Sequence, residues 1–472
     1  MLDSARSDEY PRPCCGRFNG GFQCEERKIA GNNDWVDFFD LDDDAEQHAA
    51  NLRKAGLNAG LIRPDWTLQI TPYMLDPDNT AAMAAVYATL QQTIAQLPEL
   101  LFDGDMVAFA RAVGFTDDGQ LALLDGLARD DGLLPCRWDV CQQGTHWLAM
   151  EANFGGALGG LPYDALQQVY DRIQAAAGQP LDRWLSAGTA LADALQRRAS
   201  DLTDPCFVVV DDAGQMAQSP LTARAAAALL KEHLGDDVHA IGHDALPAFL
   251  DQTDGPVVTF ELFTLRDIAR AVDSRYQPYL AACRSGRVRR GVNLLCDLYM
   301  SKAVLALLHR AADEGRVDGA TAAMIRQAVP PTHIVSAANL NALARLPKDR
   351  HVLKSAIGHG GSGVFCGWEQ DADHWATLLA QAADSAGKLG LCVLQARVQG
   401  ECRETISLTP QGQWIDSDAP QVLGIFQIDG RFCGGGVRQS IQGSGIVNAA
   451  QSAAVGVFRE APKPATQTGT AA

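Results

Sequence analysis

The sequence predicts a mixed protein, α+β in part and α/β in part, and three observations predict it. First, CRWDVC at 136–141 and HWLAMEANF at 146–154 are short β-prone segments joined by the polar QQGT, the pattern of an antiparallel hairpin. Second, PCFVVVDDAG, LTARAAAALLKEHLG, DDVHAIGH and GPVVTFEL follow one another from Asp204, giving a strand–helix–strand–strand order that implies a small parallel unit. Third, Ala and Leu recur at spacings of three and four over 45–60 and 78–130, which predicts helices.

Bulk properties set the frame. A chain of 472 residues is too long for a single core and points to roughly two to four domains. Hydrophobic content of 47% with 20% charged residues is that of a globular protein, and no apolar run reaches membrane-span length. The first ten residues are charged and lack an apolar h-region, so no signal peptide is expected. A formal charge of −18 argues against nucleic acid or an anionic membrane as the main partner. It leaves room for a local basic pocket. Twelve scattered cysteines, Cys206, Cys366, Cys392 and Cys433 among them within β-type runs, fit reduced thiols in the cytoplasm. Cys14, Cys15 and Cys24 match no zinc spacing.

In chain order, residues 1–30 read as a disordered extension rich in Gly, Pro, Arg and Cys. Asp34–Glu46 is acidic without EF-hand spacing, hence a solvated turn or helix cap. The span 31–200 reads as a helical region, broken by a loop near Phe102–Asp105, plus the hairpin; two amphipathic helices follow it at 163–177 and 181–199. The parallel unit occupies 201–330 and ends in a helix with Lys302 near its start. VPPTHIV at 329–335 reads as a Pro-fixed extended linker. The last unit, 331–457, holds strands at Val352–Lys354 and Gly363–Gly367 around a Gly-rich loop. A buried strand ending near Gln395 comes next, then an Asp429-Gly430 hairpin turn and a Gly run leading to Arg438. Residues 458–472 read as a disordered tail.

The chemistry sits on the hairpin and on the loop. Side chains two apart on a strand share a face. Arg137 and Asp139 therefore point one way, as do Glu151 and Asn153. A turn centred near Thr145 puts Asp139 opposite Glu151 and Arg137 opposite Asn153, and buries Met150, Ala152 and Phe154 on the other face. Such oxygen-only donors suit Mg²⁺; taken alone they also describe an ion-paired, solvated surface. Gly358, Gly360, Gly361 and Gly363 allow backbone N–H groups to approach phosphates, and Lys354 beside them supplies a point charge. The loop lacks the GK[ST] ending of a Walker A motif, and no helix follows it as in a dinucleotide fingerprint.

Taken together these blocks resemble the ATP-grasp superfamily. SKAVLALLHRA looks like its first-lysine helix, HVLKSAIGHGGSGV like its second lysine and phosphate loop, and VLQARVQGE like its hinge strand. R-x-D and E-x-N here precede both lysines, which is similar to the circularly permuted branch typified by glutathionylspermidine synthase. The resemblance implies a permuted ATP-grasp fold with a small Rossmann-like unit ahead of the nucleotide lobes. It implies Asp139, Glu151 and Asn153 as ligands of two Mg²⁺ ions, and Lys302, Lys354, Gly360, Gly361, Gly363 and Gln395 as ATP-binding residues. Arg137 and Arg438 become the catalytic cations, and Glu401 or Glu404 the ribose contact. The implied activity is an ATP-dependent carboxylate–amine ligase that forms an amide or peptide bond through an acylphosphate and acts on small molecules such as amino acids or peptides. Acylation of a carrier-protein thiol and a non-catalytic nucleotide-binding protein are the alternatives. No polyamine-site residues are matched, so the branch's substrates are not carried over.

Overall fold

The computed structural model describes residues 53–54, 66–127, 132–158, 161, 163–164, 166–168, 170–171, 186–218, 221–270, 275–358, 362–384, 387–440 and 453–460. The expected N-terminal extension, the acidic segment, the three early cysteines, the tail beyond Glu460 and most of the helix at 45–60 lie outside them.

Two short strands come first, β1 (Leu68–Gln69) and β2 (Tyr73–Leu75), neither of which the sequence pattern revealed. The helical stretch at 78–130 is three helices: α1 (Pro77–Phe102), α2 (Met106–Ala112) and α3 (Asp118–Leu127). The Asp76 carboxylate accepts from the N–H groups of Asp78 and Asn79, and Pro77 takes the first helical position, where no N–H is needed. Left-handed Asp103 and Gly104 end α1 at the expected loop. The hairpin follows as β3 (Cys136–Gln143) and β4 (His146–Phe154), closed by a two-residue turn with Gly144 at φ 60°. Beyond it lies α4 (Ala187–Arg198), whose N-cap Ser186 accepts from Thr189 N–H.

The parallel unit holds β5 (Cys206–Asp211), α5 (Leu221–Leu234), β6 (Val238–Gly242), β7 (Val257–Glu261), α6 (Gln277–Arg284) and β8 (Val288–Arg290). Its strand order is β6-β5-β7-β8, all parallel. β8, too short and too basic to read as a buried strand, went unrecognised in the sequence. The chain continues through α7 (Ala303–Asp313), α8 (Gly319–Ala328) and β9 (Thr332–Ile334). VPPTHIV is thus extended as expected but is no linker: β9 pairs with β12.

The third unit adds β10 (His351–Ser355), β11 (Val364–Cys366), α9 (Ala372–Ala382) and β12 (Cys392–Ala396). With β9 these form an antiparallel sheet of order β11-β10-β12-β9. β13 (Cys402–Leu408), β14 (Trp414–Ile428), β15 (Arg431–Gln439) and β16 (Ala454–Glu460) complete the chain. The β14–β15 turn has Asp429 at φ 52° and Gly430 at φ 72°, as the D-G pair demands. Phe458–Glu460, assigned to the tail from sequence, lie in β16 and pair with β2.

One eight-stranded sheet gathers both ends of the chain, in the order β13-β1-β16-β15-β14-β3-β4, with β2 beside β16. The fifteen-residue β14 pairs with β13 along its first half and with β15 and β3 along its second. That arrangement sets the hairpin against the late strands. Its apolar face is anchored by Trp138, fully buried, whose ring packs on Tyr87 of α1 at 5.1 Å and whose Nε1–H donates to Gln427 Oε1 at 3.0 Å.

Candidate active site

Alternation along β3 turns Trp138 toward α1 and its neighbours Arg137 and Asp139 to the opposite face. The cross-strand register is the one read from sequence: Arg137 faces Asn153 and Asp139 faces Glu151. Ala152 and Phe154 bury the other face, as expected. Met150 does not fit that simple alternation. The register slips between Asp139 and Val140, where a β-bulge leaves Met150 as the extra residue, half-buried. The bulge has a use, because Lys354 Nζ lies 3.4 Å from the Met150 carbonyl oxygen.

Asp139 is the centre of the acid side. Arg137 grips it bidentately, Nε to Oδ1 at 2.8 Å and Nη2 to Oδ2 at 3.2 Å. Arg438, from β15, places Nη2 2.8 Å from the same Oδ1. The N–H bonds of that Nη2 do not aim at the oxygen, so the contact is an ion pair that leaves a buried nitrogen without a directed hydrogen bond. Burial alone would raise the Asp139 carboxyl, but the two guanidiniums outweigh it and hold the pKa down at about 2. Arg137 in turn stays firmly charged: burial opposes its charge and Asp139 restores it. Its stem lies over Gly424, directly across from Asp139, where an added Cβ would come within 3.1 Å of Arg137 Cδ.

The lysine side comes from the third unit and the helix before it. Lys302, at the start of α7, is buried and pairs with Glu151 Oε1 at 3.1 Å while donating to the Gly358 carbonyl at 2.9 Å. Lys354, on β10, donates to Gln395 Oε1 at 2.6 Å. Burial pulls its pKa down to about 8; Glu151 opposes that shift and Lys302 adds to it. Gln395 is buried, and its amide nitrogen donates to Thr332 Oγ1 at 3.1 Å. Its side chain therefore orients Lys354.

The structure thus brings Arg137, Asp139, Glu151, Asn153, Lys302, Lys354, Gln395 and Arg438 into one cradle, linked through the ion pairs and hydrogen bonds above. Asn153 joins through Nδ2, 3.5 Å from the Arg137 carbonyl oxygen. Gly363 is left-handed at φ 70° and packs on Ser355, where an added Cβ would sit 2.9 Å from the Ser355 Cβ. Gly360 and Gly361 lie outside the described residues. Of the two ribose candidates, Glu401 accepts from the Gly144 N–H at 2.7 Å and so holds the hairpin turn. Glu404 lies on β13 opposite Asp418.

Sequence reading missed Tyr163. Its ring covers Gly436, where any Cβ would overlap the ring carbons. Burial raises its hydroxyl pKa, against the pull of Arg438 and Arg137. The Gly run before Arg438 was the available signal: it makes room for an aromatic ring beside the two arginines. As a test of fit for Mg²⁺, the hairpin offers three oxygen donors on adjacent positions of one face, Asp139, Glu151 and Asn153, while Cys141, next along that face, turns its thiol to Met150 Sδ and the Gln421 carbonyl. That donor set suits a hard cation.

No family model matches the chain, and no curated protein matches it. Among solved structures, a putative gamma-glutamylcysteine synthetase from Methylobacillus flagellatus aligns at 11% identity over 81% of this chain and 86% of that one, with a TM-score of 0.38. A glutathione synthetase-like effector from Globodera pallida, in its apo form, is far nearer, covering 87% of this chain and 96% of that chain at 14% identity with a TM-score of 0.57. The chain therefore has the fold of a glutathione synthetase-like protein, mixed α/β with several sheets.

Proposed function

We propose that this chain is an ATP-dependent carboxylate–amine ligase of the ATP-grasp kind, releasing ADP and joining small acids and amines such as amino acids or peptides. One observation carries the reading. The acids of an early hairpin meet the lysines of the late units, through Glu151–Lys302 at 3.1 Å and Lys354–Met150 O at 3.4 Å. The order of these parts along the chain, acids before lysines, supports the circularly permuted branch. The parallel sheet β5–β8 then corresponds to the Rossmann-like unit preceding the nucleotide lobes. Asp139, Glu151 and Asn153 would hold Mg²⁺, which when bound supplies neutralisation of phosphate charge.

The chain's own groups account for the rest. Lys302 and Lys354 position the phosphates of ATP as point charges, and Gln395 fixes the direction of Lys354. Arg438, buried with Nη2 2.8 Å from Asp139 Oδ1, is placed to share its charge with an anionic oxygen of the substrate carboxylate or the transferring phosphoryl group. Arg137 lies beside it and shares the charge. Positioning and charge neutralisation are what phosphoryl transfer to a carboxylate requires. Attack by an amine on the acylphosphate then yields the amide. None of the nine described thiols, seven of them buried, is in a disulfide, which suits a cytoplasmic enzyme.

The test is ADP release with Mg²⁺ across a panel of amino acids and dipeptides, alone and in pairs. Substrate-dependent ADP accompanied by a new amide bears the proposal out. ADP formed only with a carrier protein would move the acceptor to a thiol, and ATP binding without turnover would remove catalysis. Glu151→Ala should lower the rate at least about a hundredfold, the scale of losing a group that acts on transition-state charge; wild-type turnover in that variant would exclude Glu151 from the site.

A further inference from the structure

A large cavity of about 1410 Å³ lies apart from the cradle, above the roughly 300–1,000 Å³ usual for a small-molecule site. It opens between α1, which covers the Trp138 face of the main sheet, and the end of α4, which packs on the other face, at the β14–β15 end of that sheet. The β14–β15 turn forms part of its wall. That turn begins five residues beyond Gly424, the partner of Asp139, a run of roughly 16 Å at strand spacing. No residue of the cradle lines it.

Its lining is unlike the rest of the molecule. In a protein of net charge −18, the wall carries Arg197, Arg198, Arg284, Arg289 and Arg290 against the one carboxylate of Asp429. These arginines come from three places: the end of α4, the end of α6, and β8. Several are held in place. Arg198 Nε donates to the Arg290 carbonyl at 3.0 Å, Arg289 Nη1 to the Arg198 carbonyl at 2.6 Å, and Arg197 pairs with Asp429 at 2.7 Å. Capping the end of α4 explains Arg289, which also grips Asp201. It does not explain five guanidiniums around one cavity with an apolar floor that includes Leu133, Leu280 and Val288.

We propose that this cavity is a second anion site, taking a ligand that bears a diphosphate on a body of nucleotide size. Guanidinium forks match phosphate oxygens two at a time and are more weakly hydrated than ammonium groups. Two of the five already meet carboxylates, Arg197 on Asp429 and Arg289 on Asp201, so the case rests on guanidiniums gathered from three elements around one cavity, a spread that suits a two-phosphate end better than a single one. The apolar floor suits the body of the ligand, and the arginines its charged end.

Cys283 lines the cavity and is half-buried, so its reactivity reports on occupancy. The experiment is peptide-resolved alkylation of the full chain with iodoacetamide, with inorganic pyrophosphate or ADP as the probe and the exposed Cys402 as the internal control. At ten times Kd the probe should slow Cys283 by about tenfold, as mass action requires, and leave Cys402 unchanged. The double variant Arg284→Ala/Arg290→Ala should lose the protection. Arg284→Glu alone, at an exposed position, should weaken it, and keeps the test open if the double variant fails to fold. Protection at lower ADP than pyrophosphate identifies a nucleotide, and equal potency a free diphosphate. Absence of protection by both probes at millimolar concentration overturns the proposal, as does protection that survives the double variant. Protection should persist in Lys354→Met; loss there would assign the effect to the cradle instead.

Discussion

Asp139 and Lys354 are buried ionisable groups in one cradle, and their surroundings are opposites. Asp139 has two guanidiniums within 2.8 Å and is ionised down to about pH 2. Lys354 has an amide oxygen and a backbone carbonyl as its hydrogen-bond partners, shares Glu151 with Lys302, and has its pKa pulled down to about 8. Each side sets two cations against one carboxylate, but Asp139 meets both of its cations directly, whereas Lys354 is held mainly by neutral oxygens and is short of a negative charge of its own. A buried cation held mainly by neutral oxygens costs stability until an anion arrives. The triphosphate of ATP would be such an anion, so the shortage itself is a sign of function.

The sharpest way to break the comparison is to remove one group from each side. Lys354→Met should cut ATP turnover by about 10²–10³, the effect of losing one group that stabilises transferred charge, with an unchanged or raised Tm. Asp139→Ala should do the reverse in emphasis. It leaves Arg137 and Arg438 facing each other without their shared anion, and should cost roughly 3 kcal/mol, the low end for breaking a buried ion pair because Arg137 is partly exposed. Urea denaturation reads both. A Lys354→Met chain that melts well below wild type, or an Asp139→Ala chain that melts with it, would erase the distinction.

The pH dependence sharpens it further. Lys354 has its folded pKa lowered from 10.5 to about 8, so between those values the unfolded chain binds the extra proton and the folded chain does not. Stability then rises with pH through that window, and the cost is fully present below pH 8. Relative to Lys354→Met, wild-type stability should gain on the order of 1–3 kcal/mol from pH 8 to 10. Asp139 is the mirror case. Its folded pKa lies below 3.8, so its contribution is present above about pH 4 and fades as the pH falls toward 2. Nucleotide binding near pH 8 should also take up protons, since phosphate raises the Lys354 pKa. Calorimetry in buffers of different ionisation enthalpy would measure that uptake, and its absence would mean that Lys354 meets no phosphate.

What the sequence made legible divides along the same line. The hairpin was readable to the level of register, because period-two alternation and a two-residue turn fix which side chains face each other. Its bulge at Met150 was not, since nothing in HWLAMEANF marks which residue slips; only the tertiary demand for a carbonyl beneath Lys354 does so. The parallel unit was readable from its apolar runs, apart from β8, whose Val288-Arg289-Arg290 carries no strand signal. β1, β2 and β16 escaped because two are only two or three residues long and all three are defined by pairing across the whole length of the chain. Tyr163 escaped for a similar reason: its role depends on a Gly run 273 positions later making room for a ring. Long-range complementarity leaves little trace in a local window.

The smallest effect tests how the lysine side is tuned. Gln395→Leu removes the amide oxygen that accepts from Lys354 at 2.6 Å and leaves the Met150 carbonyl as its nearest neutral acceptor. Thr332 loses a donor but keeps its own bond to the Pro330 carbonyl at 2.7 Å, so no hydroxyl proton is orphaned. The stability change should therefore stay near 1 kcal/mol, the scale of one hydrogen bond. The functional change should be larger in one respect. With less to stabilise its charge, Lys354 should lose its proton at lower pH, so the alkaline limb of kcat/KM for ATP should move acidward while the acid limb stays in place. An unshifted alkaline limb would mean that Gln395 supports the strand pairing alone and leaves the charge of Lys354 to Glu151.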